Sequence, residues 1–287
     1  MKGVIARAVA YGRMIRFSHS LFALPFALTS AVLAAHDGGV AARPIAWIVV
    51  AMVAARSAAM GFNRLADQAI DGRNPRTALR ELPRGVISRA EVWRFVLVST
   101  AVFVLAAAML NGLCLALSPL ALVVVFGYSY TKRFTAASSL VLGLSLSIAP
   151  VGAWLAIRGR FEPLPIVLAV AVVLWVAGFD TIYSCQDAEF DRREGLRSIP
   201  ARLGVPRALA VARALHVGAV LALLGLFWLA PLHPVYLVGV AGVAGLLAWE
   251  HTLVRADDLS RVMQAFNLNG WVSLGYLAFT AASALLH

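Results

Sequence analysis

Long apolar runs almost free of charge, joined by loops that alternate between strongly basic and nearly neutral, leave this chain few ways to fold. The runs cover residues 19–35, 44–62, 92–111, 113–130, 138–157, 163–183, 208–230, 234–254 and 265–285. A helix needs about 20 mostly apolar residues to cross the hydrocarbon core of a bilayer. Of the 287 residues, 61% are hydrophobic and 14% are charged. A soluble domain carries about a quarter charged residues, so this chain lacks the polar sequence to cover a water-facing surface. The same arithmetic excludes disorder, collagen and coiled coil. A membrane β-barrel would alternate apolar and polar positions, and these runs are continuous. The expected fold is an all-α polytopic membrane protein with nine transmembrane helices, forming one domain over residues 1–287.

The loops agree with that count. Lys2, Arg7, Arg13 and Arg16 precede the first run, which reads as a retained span rather than a signal peptide. Of 25 Lys and Arg, 21 fall on one side of the nine-span arrangement and only Arg43, Arg158 and Arg160 on the other. By the positive-inside rule the N-terminus is cytoplasmic and the C-terminus lies outside, in a bacterial-type inner membrane. The formal net charge of +11 then reflects topology, and no nucleic-acid partner is expected. Cys114 and Cys185 offer no metal-ligand spacing, and both read as small buried hydrophobes.

Arginines in loops are what topology demands; the acidic residues are not. Nine of the 14 Asp and Glu lie between Asn63 and Glu91 or between Asp180 and Glu194. Asn63, Asp67 and Asp71 are spaced i, i+4, i+8, which puts them on one stripe if the second span continues as a helix. Asp180, Asp187 and Asp191 are spaced i, i+7, i+11, again one stripe. Carboxylates a turn apart repel by a few tenths of a kcal/mol per pair, so a purely structural helix has no use for them. A hard divalent cation does. Mg²⁺ takes oxygen ligands and is usually held by one or two carboxylates plus the phosphates of a substrate. Two such clusters facing each other, with basic residues around them, make a metal–diphosphate site. The competing reading is a solvated charged loop, which accounts for the arginines but not for the aspartates.

These residues resemble the motifs of the UbiA superfamily of intramembrane aromatic prenyltransferases. The pattern N-x-x-x-D-x-x-x-D is matched by Asn63, Asp67 and Asp71. The N-x-R-T and R-x-L-P-x-G elements are matched by Asn74, Arg76, Thr77, Arg80, Leu82, Pro83 and Gly85. D-x-x-Y-x-x-x-D-x-x-x-D is matched by Asp180, Tyr183, Asp187 and Asp191, and the K/R-S after it by Arg197 and Ser198. Tyr128, Lys132 and Arg133 match Y-x-x-x-K-R. The resemblance spans essentially the whole chain. It implies nine helices around a central cavity open toward lipid, with both motifs at its cytoplasmic mouth. It implies Mg²⁺ on Asp67 and Asp71 and a second Mg²⁺ on Asp187 and Asp191, with Asn63 and Asp180 completing the polar wall. Arg76, Lys132 and Arg197 would hold the diphosphate of a polyprenyl diphosphate whose tail lies among membrane lipid.

The implied reaction is ionisation of the prenyl diphosphate and capture of the allylic cation by an electron-rich aromatic acid. The acceptor expected is 4-hydroxybenzoate or a dihydroxynaphthoate, on the route to ubiquinone or menaquinone. Ser184-Cys185-Gln186, Glu189-Phe190 and the stretch Arg16–Phe26 depart from the 4-hydroxybenzoate enzymes and look more like the menaquinone branch. Arg16, before the first span, and Arg56, inside the second, are candidates for the acceptor carboxylate, with Tyr183 beside them. Arg56 reads as the one deeply placed charge, where Arg is costly and faces a polar cavity. Two alternatives stand beside this one. A member of the same superfamily could prenylate haem, chlorophyllide or a lipid head group. A transporter would need ionisable residues deep in several spans or helices broken at matching depths.

Overall fold

The computed structural model describes residues 10–12, 14, 22–35 and 41–286. Among them the chain is helical throughout, with no strand. In order the helices are α1 (Ala23–Ala34), α2 (Ala42–Arg73), α3 (Arg89–Leu110), α4 (Gly112–Gly127), α5 (Ser138–Arg158), α6 (Pro163–Ser184), α7 (Ala188–Arg193), α8 (Ile199–Leu203), α9 (Val205–Leu226), α10 (Val235–Leu253) and α11 (Val262–Leu285). Short 3-10 turns occupy Tyr128–Arg133 and Cys185–Asp187.

Each of the nine apolar runs holds one of the longer helices. Seven helices among the described residues are long and apolar enough to cross a membrane. α1 has only 12 residues, short of a full span. α11 has 24 residues but carries Gln264, Asn267, Asn269, Ser273, Thr280 and Ser283, which dilute its apolar character. The nine-span count is therefore matched in helices but not in span-length apolar helices. The chain is an integral membrane protein by these helices.

The chain divides into two compact units, one of residues 1–20 and 46–130, the other of 21–45 and 131–287. In the first, Met14, Leu65, Leu82, Ile87, Val92 and Val96 form a buried apolar cluster, flanked by Phe62, Phe95 and Phe126. Gly61 lets α2 lie close to α3, since a Cβ there would stand 2.8 Å from Val96 Cγ2. α3 starts with a capping box: the Ser88 hydroxyl accepts from the Glu91 N–H, and the Glu91 carboxylate accepts from the Ser88 N–H at 3.0 Å. Asn111 turns the chain from α3 into α4, its Oδ1 accepting from Cys114 N–H at 2.9 Å.

In the second unit Trp175, Val172, Val176 and Phe179 of α6 are buried with Phe22, Phe26, Leu223, Leu226, Tyr236 and Tyr276. Gly143 brings α5 onto α6 so closely that a Cβ would collide with the backbone of Val173. A polar ladder runs through this apolar layer. The Trp175 indole N–H donates to Asn269 Oδ1 at 2.6 Å, and the Asn269 amide donates to Glu250 Oε1 at 3.1 Å. Glu250 and Asn269 are both fully buried. Arg56 is thus not the one ionisable group buried on a long apolar helix among the described residues. Glu250 stands within α10, and buried His216 within α9 lies 3.0 Å from His251 of α10.

Candidate active site

α2 runs straight through the first motif to Arg73, so Asn63, Asp67 and Asp71 do share one stripe. The Asn63 amide donates to Asp67 Oδ2 at 3.0 Å and to the Ser129 hydroxyl at 3.4 Å. Asn63 and Asp67 are half-buried, while Asp71 is buried. Arg80 Nη1 donates to both oxygens of Asp71 at 2.7 Å. Arg64, itself buried, lies 3.8 Å from Asp71 Oδ2 and donates from Nε to the Met14 carbonyl at 3.2 Å.

Past Arg73 the backbone folds into a knot. Thr77 N–H and Ala78 N–H both reach the Asn74 carbonyl, and the Thr77 hydroxyl donates to the Asp71 carbonyl at 3.0 Å. Asn74 Oδ1 accepts from the Arg76 N–H at 2.9 Å. Arg76 is held at its backbone while its side chain is exposed. Gly85 closes the connection with φ +70°, a region open to glycine at no steric cost, and Leu82 anchors it in the apolar cluster.

The second motif departs from a single α-helical stripe. α6 ends at Ser184, the 3-10 turn takes Cys185–Asp187, and α7 begins at Ala188. A 3-10 residue turns about 120° instead of 100°, so Asp187 and Asp191 stand rotated from the positions that continuous α-helix would give them. Asp187 and Asp191 are buried. Asp180 is half-buried and accepts from the Ser139 hydroxyl at 2.8 Å. Two of the predicted diphosphate cations gather on the same unit. Lys132 Nζ is 4.0 Å from Asp191 Oδ2. Arg197 is fastened to the segment that carries Lys132: its N–H donates to the Lys132 carbonyl at 2.6 Å and its Nη1 to the Phe134 carbonyl at 2.8 Å. Tyr183 leans on Phe266 of α11, with ring centroids 4.9 Å apart, and Phe266 also meets Phe22 and Phe179.

Arg56 sits mid-way along α2, with its Nε buried and, among the described residues, without a hydrogen-bond partner. Arg16 lies outside the described residues. Sequence reasoning named Arg80 only as a motif element and passed over Ser139, Ser129 and Arg64. A hydroxyl in an apolar helix and an arginine in a basic loop carry no signal of their own.

The donor chemistry fits Mg²⁺. The matched residues offer carboxylate oxygens in both motifs and an amide oxygen from Asn63 in the first, with no thiol or imidazole among them, the set a hard cation takes. Among the described residues no three His, Cys, Asp or Glu converge to hold an ion unaided. Mg²⁺ sites completed by substrate phosphates and water need only one or two carboxylates.

The UbiA prenyltransferase family model matches residues 23–274. The 4-hydroxybenzoate octaprenyltransferase of Vibrio cholerae serotype O1 is 32% identical over 201 residues, 69% of this chain and 70% of that one. The enzyme of the same name from Aliivibrio fischeri is 30% identical over 244 residues, 82% of each chain. Among solved structures, a UbiA homolog from Aeropyrum pernix K1 matches with TM-score 0.83 at 35% identity, over 94% of this chain and 97% of that one. A UbiA homolog from Archaeoglobus fulgidus, bound to DMAPP and Mg²⁺, shares the fold with TM-score 0.75 at 20% identity, over 96% of this chain and 99% of that one. This chain belongs to the UbiA prenyltransferase family and is a prenyl-transferring enzyme.

Proposed function

We propose that the chain acts as one domain that transfers a polyprenyl group from polyprenyl diphosphate to an aromatic acid, 4-hydroxybenzoate or a dihydroxynaphthoate, in quinone synthesis. The observation that carries this reading is the pairing of Asp191 with Lys132, to whose backbone Arg197 is fastened, acidic and basic groups held together on one unit. The names of the 4-hydroxybenzoate octaprenyltransferases support the acceptor class.

Asp67 and Asp71 in one unit and Asp187 and Asp191 in the other would hold Mg²⁺ in this reading. Bound Mg²⁺ supplies positive charge that makes diphosphate a competent leaving group. Lys132, Arg76 and Arg197 share the diphosphate charge as it grows. The bond between C1 and the bridging oxygen breaks, a ring carbon of the acceptor bonds to C1, and the ring proton departs. The products are prenylated acid, diphosphate and a proton. Asn63 and Asp180 orient the polar wall. Tyr183, packed on Phe266, presents a ring toward the acceptor side. Arg56, with Arg16, takes the acceptor carboxylate. The reacting groups lie at the cytoplasmic face of the inner membrane, with the polyprenyl tail among lipid.

Membranes containing the protein, given polyprenyl diphosphate and either acid, test the reading by mass spectrometry of extracted lipids. It predicts one prenylated acid and its loss in Asp187→Ala. Product from a haem or a lipid head group, with none from either acid, would overturn the acceptor.

A further inference from the structure

Arg80 closes on Asp71 in a way that bears on the cation. Its Nη1 stands 2.7 Å from Oδ1 and 2.7 Å from Oδ2. A nitrogen equidistant from both oxygens occupies the side of the carboxylate from which a chelated cation would be held. The pair is withdrawn from water, with side-chain exposures of 19% and 9%. Asp67, one turn earlier, is half-buried and takes an amide hydrogen bond from Asn63. Arg80 belongs to the same short connection as Arg76, and that connection is tied to the end of α2 through Thr77 and the Asp71 carbonyl.

We propose that Arg80 is a positioning residue that competes with the divalent cation for Asp71, so that cation entry and release of the Arg80 guanidinium are a single exchange of positive charge. The proposal rests on the Mg²⁺ reading above. Arg64 stays 3.8 Å from Asp71 Oδ2 throughout, and the exchange replaces the closer of the two positive charges on this buried carboxylate with another, which avoids adding a third cation to it or leaving its two oxygens without their nearest partner. It also sets a guanidinium free beside Arg76, where its planar fork suits a diphosphate oxygen pair. The cation's apparent affinity is lowered by the fraction of molecules in which Arg80 holds Asp71. Binding of a prenyl diphosphate, by engaging the released guanidinium, then tightens the cation.

The test is Mn²⁺ binding to the purified full-length protein in detergent, without substrate, read from the free Mn²⁺ signal by electron paramagnetic resonance. Arg80→Gln tightens Mn²⁺ about fivefold or more, the scale of a partly buried charge-assisted pair. Arg84→Gln removes an exposed charge from the same connection and changes affinity little. Arg80→Lys keeps a cation for Asp71 and stays near wild type, whereas a structural need for the guanidinium would make it behave like Arg80→Gln. Asp71→Asn weakens Mn²⁺, and Arg80→Gln adds nothing in that background, since the pair it breaks is gone. Unchanged or weaker Mn²⁺ binding in Arg80→Gln, or equal tightening in Arg84→Gln, overturns the competition. Absence of Mn²⁺ binding by the wild-type protein, or binding indifferent to Asp67→Ala and Asp187→Ala, would instead overturn the Mg²⁺ reading.

Discussion

Arg56 is a guanidinium within the apolar stretch of α2 that precedes the first motif. An arginine near the middle of a membrane helix costs about 2.5–3.5 kcal/mol on insertion scales. Among the described residues its buried Nε has no hydrogen-bond partner, and Asp67 lies about 16 Å further along the axis at 1.5 Å per residue. An anionic substrate group is the partner that would offset this cost. Arg56→Met is expected to raise KM for the aromatic acid about tenfold or more while leaving that for prenyl diphosphate nearly unchanged, as removal of uniform binding does. Arg56→Lys recovers only part, because the fork is lost. Steady-state kinetics with each substrate varied in turn decide it, and equal damage to both KM values would remove Arg56 from the acceptor side. Arg56 was legible in the sequence because a charge inside an apolar run stands out. Arg80 was not, because a connection with several arginines gives no hint which one turns inward onto Asp71. Glu250 was missed because it stands beside His251 near the end of its run, where a water-facing position is the ordinary expectation.

Helices were the most legible level, since each apolar run already had a helix's length, and Pro75 follows closely on the end of α2 at Arg73. The break in the second motif was not legible. The spacing of Asp180, Asp187 and Asp191 suits an uninterrupted helix, and only local i to i+3 hydrogen bonding from Cys185 to Ile182 converts the turn to 3-10. Between helices, the ladder from Trp175 through Asn269 to Glu250 joins α6, α11 and α10 inside an apolar layer. Asn269→Ala strands the buried indole N–H and leaves Glu250 without that amide donor. Leaving such groups unsatisfied costs about 1–3 kcal/mol each. A clear fall in the melting temperature in detergent is expected. An unchanged melting temperature would mean that the ladder contributes nothing to holding these helices together.

At the scale of the whole molecule, charge decides orientation. The 21-to-3 division of basic residues among the loops is expected to place the start of the chain in the cytoplasm and the far end of α11 outside, if all nine apolar helices cross. Reporter fusions at the two ends are expected to report opposite sides. Both ends in the cytoplasm would mean that one apolar segment, with the 12-residue α1 the first suspect, does not cross. The two motifs belong to different units, and the family pattern of the chain was legible only because their residues could be read together across that division. The central claim is that prenyl transfer depends on a divalent cation and on carboxylates of each motif. The most direct measurement is product formation by the purified protein from polyprenyl diphosphate and the aromatic acid, followed by mass spectrometry with Mg²⁺ supplied or chelated, in wild type, Asp67→Ala and Asp187→Ala. The account predicts product only with Mg²⁺, and a loss of most turnover in each variant while both remain folded. Full turnover in excess chelator, or in either variant, would contradict it.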